Sequence, residues 1–275
     1  MKVTCVIDNT VAQSSPLWGE HGLSYLVETE NGRLLMDTGR SGTVLMHNLE
    51  RLDVDPRSLK ALILSHSHED HTGGLEALLS RVGGLPLYAG AGLFQPRFSC
   101  KDGACRTIGL ALPEERLRQL ADVHLSDAPV QVLPGIWTTG EVAPRPEAEG
   151  RSEGHVIRVD AAWSPDPYRD DLSLVLQTGE GLVVVCGCCH AGLLNTLAQV
   201  RRDFAGSVVA ILGGTHVRDS DASLSGRLIA VLREEYGSPR LYLNHCTGPG
   251  AYQALAAAFG DLVSPCPAGT SIVFR

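Results

Sequence analysis

The sequence predicts an α/β protein in which two sheets pack face to face with helices on their outer sides. Three observations predict it. Strand-like and helix-like segments alternate through the chain; each half holds strands first and strand-helix units later; and one segment, LKALILS, runs as a continuous apolar strand. Hydrophobic residues at 44% and charged residues at 20% are ordinary globular values, which excludes wholesale disorder, coiled coil and collagen-like repeats. At about 150 residues per domain the length suits one large or two small domains. We expect a single domain over 1–275, built of two similar halves, with an irregular cleft-covering insertion at about 90–153.

The first half reads strand, hairpin, helix, strand. Residues 2–8, 23–29 and 33–37 are apolar-rich and bounded by Gly, Asn or Asp, as strands are. Between the second and third, Glu30-Asn31-Gly32 makes a hairpin, because Asn-Gly tolerates the positive φ of tight loops. After Ser41, Val44, Leu45 and Leu49 fall at helical spacing over 41–51, and LKALILS then runs as a buried strand to Ser65. The second half repeats the texture. Strands are expected at 155–160, 172–178, 181–186, 207–212 and 240–243, helices at about 191–203, 221–236 and 250–258, and TSIVFR as a closing strand.

Charge and cysteine usage bound the function. The 23 Lys and Arg against 31 Asp and Glu give a net charge of −8, a poor match to nucleic acid or an anionic membrane, so a small molecule is the expected partner. No apolar run reaches the eighteen or so residues of a membrane span, and Asp8 and Asn9 interrupt the first apolar stretch before a signal-peptide core forms. A cytoplasmic protein is expected. The eight cysteines are read as thiols, including Cys100 and Cys105, since a chain this long buries a core without staples.

The chemistry concentrates at Ser65-His66-Ser67-His68-Glu69-Asp70-His71-Thr72-Gly73-Gly74. Imidazole nitrogen and carboxylate oxygen are ligands that zinc and similar ions take at about 2 Å. Here three His and one Asp leave the end of a buried strand, where the backbone is well fixed, and enter a Gly-Gly turn before the helix LEALLSRV. His66 and His68 can face one side of an extended segment while Asp70 and His71 turn toward a neighbouring ion.

This HxHxDH pattern resembles the second motif of the metallo-β-lactamase superfamily, which implies a four-layer αββα sandwich. Within it, DNT near the start, GLSYLVET, LLMDTG, HSHEDHTGGL, DDLSLVL, GLVVVCGCCHAGLLNTL, GGTH and HCTG resemble the branch of dihydropterin and ribofuranosylaminobenzene phosphate synthases of methanopterin-type biosynthesis. The resemblance implies metal ligands at His66, His68, Asp70, His71, His190 and His245, with Asp70 also catalytic. It implies that Asp37 orients the ligand loop through hydrogen bonds, although Asp-Thr-Gly is also a plain turn. Asp8, Asn9 and Glu141 match segments that line the cleft, and His216 follows two glycines that allow close backbone approach, so it touches substrate or metal.

One departure stands out. The commonest superfamily pattern has a bridging Asp at the strand end that here reads Cys186-Gly187-Cys188-Cys189-His190. Either a Cys188 thiolate ligates a soft metal or the position holds a small buried residue, while Asp170 and Asp171 are alternative sources of a carboxylate or a solvated turn. Arg97, Arg106, Arg145 and Arg151 in the insertion are candidate phosphate ligands. The expected cofactor is one or two divalent ions, zinc first, with manganese or iron as alternatives. The expected activity is hydrolysis of a small anionic ester, lactone or phosphoester by a metal-bound hydroxide. The alternatives are transfer of a pterinylmethyl group from its diphosphate to an arylamine, or a ligand-binding module without turnover.

Overall fold

The computed structural model describes residues 1–217 and 222–275. The chain opens with β1 (Lys2–Ile7), β2 (Ser24–Thr29), β3 (Gly32–Met36), α1 (Gly42–Arg51), β4 (Leu59–Ile63), the single turn α2 (Glu69–Thr72), α3 (Leu75–Val82) and β5 (Leu85–Ala89). The middle holds β6 (Arg97–Lys101), β7 (Ala104–Thr107), α4 (Glu114–Leu120), β8 (Ala121–Leu125), β9 (Val130–Leu133) and β10 (Ile136–Thr138). Then follow β11 (His155–Val159), β12 (Ala162–Pro165), β13 (Ser173–Thr178), β14 (Gly181–Cys186), α5 (Leu193–Asp203), β15 (Val208–Gly213), α6 (Ala222–Glu234), β16 (Arg240–Leu243), α7 (Pro249–Phe259), β17 (Val263–Pro265) and β18 (Ser271–Val273). The helix expected at 221–236 is α6; its first expected residue lies outside the described ones.

Two seven-stranded sheets face each other. Their orders are β18-β1-β2-β3-β4-β5-β8 and β17-β16-β15-β14-β13-β10-β9, and a four-stranded sheet, β12-β11-β6-β7, sits apart from both. Side chains alternate along each strand, so one strand serves two layers. Leu34 and Met36 of β3, Ile63 of β4, Val183 and Val185 of β14 and Leu212 of β15 meet between the sheets. Leu35 and Leu62 point outward to α1 and α3, and Val184 and Ile211 point outward to α5 and α6. The result is the four-layer αββα sandwich, and it explains why these strands read as continuously apolar: both faces are covered.

Local signals set the element ends. The Ser41 hydroxyl accepts a hydrogen bond from the Val44 amide at 3.2 Å and starts α1. Along β3–β4–β5 and β14–β15–β16 the pairing is parallel, which brings the carboxyl ends of those strands to one edge of each sheet. The site is built there.

Two expectations need correction. The middle segment is not irregular: β8 extends the first sheet beside β5, and β10 and β9 extend the second beside β13. All three strands are short, and β8 and β9 carry exposed polar residues, so the period-2 signal is weak. Cys100 and Cys105 are not free thiols but a disulfide, because they stand opposite each other in the β6–β7 hairpin with Cα atoms 4.1 Å apart. Among the described residues no helix is long and apolar enough to cross a membrane.

Candidate metal centre

Four loops that leave strand ends converge on one cavity of about 220 Å3. The loop after β4 brings His66 and His68, and α2 brings Asp70 and His71. From the second sheet, the loops after β14, β15 and β16 bring His190, His216 and His245.

Donor atoms fall into two groups. Those of His66, His68 and His190 lie within 4.8 Å of one another, and so do those of His66, His71 and Cys188. His71 Nε2 is 3.2 Å from His245 Nε2, and Asp70 Oδ2 is 3.5 Å from the same His245 atom. Two nitrogens held at about 2.0–2.1 Å by a tetrahedral ion stand about 3.3 Å apart. The first triad is therefore His66, His68 and His190, and the second Asp70, His71 and His245.

The chemistry of the donors fits a cation. The Nε2 atom of His190 is buried without a hydrogen-bond partner, an arrangement costly for a polar atom unless something binds it, and His68 Nδ1 stands 3.0 Å from His66 Nε2, a spacing that fits two ligands of one ion. Burial, reinforced by neighbouring imidazoles, pushes His66 and His190 well below the usual histidine range, and burial does the same to His68. Burial and the nearby His71 push His245 down to about 3. These rings are neutral at pH 7, as ligands must be. His71 differs: burial opposes its charge, but the Asp37 and Asp70 carboxylates hold it up to about 9. Burial also disfavours ionised Asp70, yet His71, His245, His68 and His21 around it keep its carboxyl well below the usual range.

A shell of polar contacts fixes these rings. Asp37 Oδ1 accepts from the Ser65 amide at 2.7 Å, and Oδ2 accepts from the Ser65 hydroxyl at 2.7 Å and faces His71 Nδ1 at 2.7 Å. It touches no other ligand group and acts as a brace between β3 and the β4 loop. His190 Nδ1 is 2.7 Å from the Gly150 carbonyl. Asp8 Oδ1 accepts from the His245 amide at 2.8 Å, and Asn9 Oδ1 is 3.1 Å from His245 Nδ1. Neither Asp8 nor Asn9 lines the cavity; both hold His245 from behind. His216 does line it, with Nε2 3.3 Å from Ser152 Oγ.

Other expected residues are placed elsewhere. Glu141 is not on the cavity wall: it faces Arg169 at 3.8 Å because its segment is tied to Asp127. Asp170 accepts from the Ser67 amide at 2.9 Å and pairs with Arg97 at 2.5 Å. Asp171 Oδ2 accepts from the Ala191 amide at 2.8 Å, and burial pushes its carboxyl up to about 7. Both brace ligand loops rather than joining a donor group. Arg97 is fully buried against Asp166, Asp170 and Ser67, and Arg145 is bound to the carbonyls of Val142, Pro167 and Tyr168, so neither faces a substrate phosphate. Of the four arginines, Arg106 alone lines the cavity.

Residues not singled out from the sequence complete the wall: His21, Arg40, Glu69, His155 and Cys246. Glu69 Oε1 takes Arg106 at 2.8 Å and Arg40 at 3.3 Å, so two guanidinium groups stand at the mouth. His155 comes from the separate small sheet and lies beside His68, with ring centroids 5.2 Å apart. Only the fold brings it there, since nothing in its sequence surroundings marks it.

The family model of the metallo-beta-lactamase superfamily matches residues 17–86, the segment that carries Asp37 and the HxHxDH motif. Fold, motif and family match agree: residues 17–86 match the metallo-beta-lactamase superfamily model, and the chain as a whole has the fold of a solved member of the beta-lactamase superfamily. A 7,8-dihydropterin-6-methyl-4-(beta-D-ribofuranosyl)-aminobenzene-5'-phosphate synthase from Methanocaldococcus jannaschii is 28% identical over 287 residues, covering 100% of this chain and 97% of the relative. A crystal structure of a metal-dependent hydrolase of the beta-lactamase superfamily superposes with a TM-score of 0.86 at 23% identity, covering 100% of both chains. Zn(2+)-bound PqqB from Methylobacterium extorquens shares the fold at a TM-score of 0.56 and 13% identity, again over 100% of both chains.

Proposed function

We propose that this chain is a metal-dependent enzyme that cleaves a small anionic ester, lactone or phosphoester at the junction of the two sheets. The observation that carries this is the pair of facing donor triads, His66/His68/His190 and Asp70/His71/His245, at the base of a cavity with two arginines at its mouth. Divalent ions held there would lower the pKa of water toward 7 and stabilise negative charge developing on the substrate.

The chain's own residues do the rest. Arg40 and Arg106, fixed by Glu69, draw an anionic substrate to the mouth and orient it. His216, Ser152 and His155 form the wall against which the substrate lies. Asp70 stays ionised, so beside holding a cation its carboxylate can accept a hydrogen bond from the attacking nucleophile and aim it. Asp37, Asp8 and Asn9 hold His71 and His245 in register, so no reorganisation is needed during the reaction. In hydrolysis a water oxygen forms the new bond, the ester or phosphoester bond breaks, and the leaving oxygen takes the proton.

A second reading is favoured by the similarity to the archaeal synthase, which runs the full length of both chains. Here the acceptor is an arylamine nitrogen: its bond to a pterinylmethyl carbon forms, the carbon–oxygen bond to diphosphate breaks, and the amine loses a proton. Both readings need the same centre.

The test is turnover by metal-replete protein on phosphodiesters, lactones, and a pterinylmethyl diphosphate with and without an arylamine. Turnover that chelator and His68→Ala both abolish supports the proposal; full turnover in metal-free protein contradicts it. Product formed only when the arylamine is present selects transfer over hydrolysis.

A further inference from the structure

The buried thiols divide into two kinds. Cys186 and Cys189 pack in the apolar layer between the second sheet and its helices, and Cys5 and Cys266 belong to the core between the sheets. Cys188 and Cys246 belong to neither and line the cavity instead. The backbone enforces this. Cys189 sits at φ 60, and that left-handed turn sends the Cys188 side chain inward while Cys189 faces Thr196 of α5.

Cys188 Sγ is 3.2 Å from His71 Nε2, the same atom that stands 3.2 Å from His245 Nε2. The donor atoms of Cys188, His245 and Cys246 lie within 4.8 Å of one another, as do those of His66, His71 and Cys188. Sulfur and nitrogen bound to one tetrahedral ion, at about 2.3 and 2.0–2.1 Å, stand about 3.5 Å apart. The sulfur therefore lies at ligand spacing from the second triad and within reach of the first. No carboxylate occupies that position, because Asp170 and Asp171 are engaged with the ligand loops.

We infer that Cys188 is a ligand of the ion held by Asp70, His71 and His245, its sulfur standing between the two triads. On binding, the thiol loses its proton to solvent and a metal–sulfur bond forms. A sulfur ligand biases the centre toward zinc, cobalt or ferrous iron and against magnesium or calcium. The inference rests on the reading that the triads hold cations, so the experiment separates the two.

The full-length protein is stripped with chelator and reloaded with Co(II), with cobalt content measured by elemental analysis. The expected result is an intense near-ultraviolet thiolate-to-cobalt charge-transfer band. It disappears in Cys188→Ser, which still binds cobalt at the first triad, and persists in Cys246→Ser. Bound cobalt without the band, or a band that survives Cys188→Ser, overturns the sulfur ligand while leaving the triads standing. A chain that binds no cobalt overturns both. Should Cys188→Ser fail to fold, zinc-edge X-ray absorption of the Cys246→Ser protein decides. A sulfur shell at about 2.3 Å supports the ligand, and a shell of nitrogen and oxygen alone contradicts it.

Discussion

The Asp37 carboxylate is committed on every side: the Ser65 amide, the Ser65 hydroxyl and the His71 ring occupy its two oxygens, and it is buried. Removing one partner of such a buried pair leaves the other charge without compensation, at a cost of about 3–5 kcal/mol. Asp37→Ala is therefore expected to lose that much stability in denaturant titration of the metal-free protein, and to bind metal more weakly. His71 sets a pH dependence. Its folded value of about 9 lies above the ordinary histidine value of 6.5, so in the metal-free protein its contribution to stability is complete below about 6.5 and is lost as the pH rises through about 9. A cation that takes Nε2 must displace that proton. Metal binding at pH 7 is expected to release at least one proton, and apparent affinity to fall about tenfold per unit of decreasing pH for each proton released. Calorimetry in buffers of different ionisation enthalpy reads this directly, and uptake of no compensating heat would contradict it.

Among the elements, the strand ends matter more than the strands. Asp37 after β3, Cys189 after β14, His216 after β15 and His245 after β16 all have φ between 48 and 60, the left-handed region that non-glycine residues seldom enter. Each sharp turn redirects the chain toward the cavity. Gly187 works by close approach instead: a Cβ there would stand 2.1 Å from the Ser65 hydroxyl and 3.3 Å from Asp37 Oδ2. Gly187→Ala is thus expected to push the ends of β14 and β4 apart and lower metal content and turnover together by at least about tenfold, the scale of disturbed outer-shell contacts. At the rim, Arg106 is carried by the β6–β7 hairpin and touches no donor group. Arg106→Ala should raise KM for an anionic substrate more than it lowers kcat, with metal content unchanged. β14 and β15 were legible in the sequence because both faces are buried and the apolar run is unbroken, and β3 and β4 were legible from their buried apolar ends, Leu34 to Met36 and Ala61 to Ile63. β8 and β9 were not, since exposed polar residues interrupt them, nor was β10, which is only three residues long, and the left-handed turns carry no compositional mark outside glycine. The HxHxDH donors could be read from spacing alone. His155 and Cys246 could not, because their relation to the site exists only after the sheets have packed.

At the scale of the whole molecule, the centre belongs to neither half. His66, His68, Asp70 and His71 come from the first sheet's edge, His190 and His245 from the second's, and the inter-sheet core of Leu34, Met36, Ile63, Val183, Val185 and Leu212 sets the distance between them. Truncating that core loosens the site as well as the fold: Leu34→Ala is expected to cost about 2–5 kcal/mol and to weaken metal binding. Conversely, a cation that binds only the folded chain stabilises it, by about 2.7 kcal/mol at 100 times its dissociation constant. A metal-dependent rise in thermal midpoint that His68→Ala removes would show the linkage. The most direct measurement is anomalous scattering from crystals grown with zinc and no chelator. The structure predicts two peaks in the cavity, one against His66, His68 and His190 and the other against Asp70, His71 and His245. An empty cavity, or metal bound only elsewhere on the surface, would contradict the account.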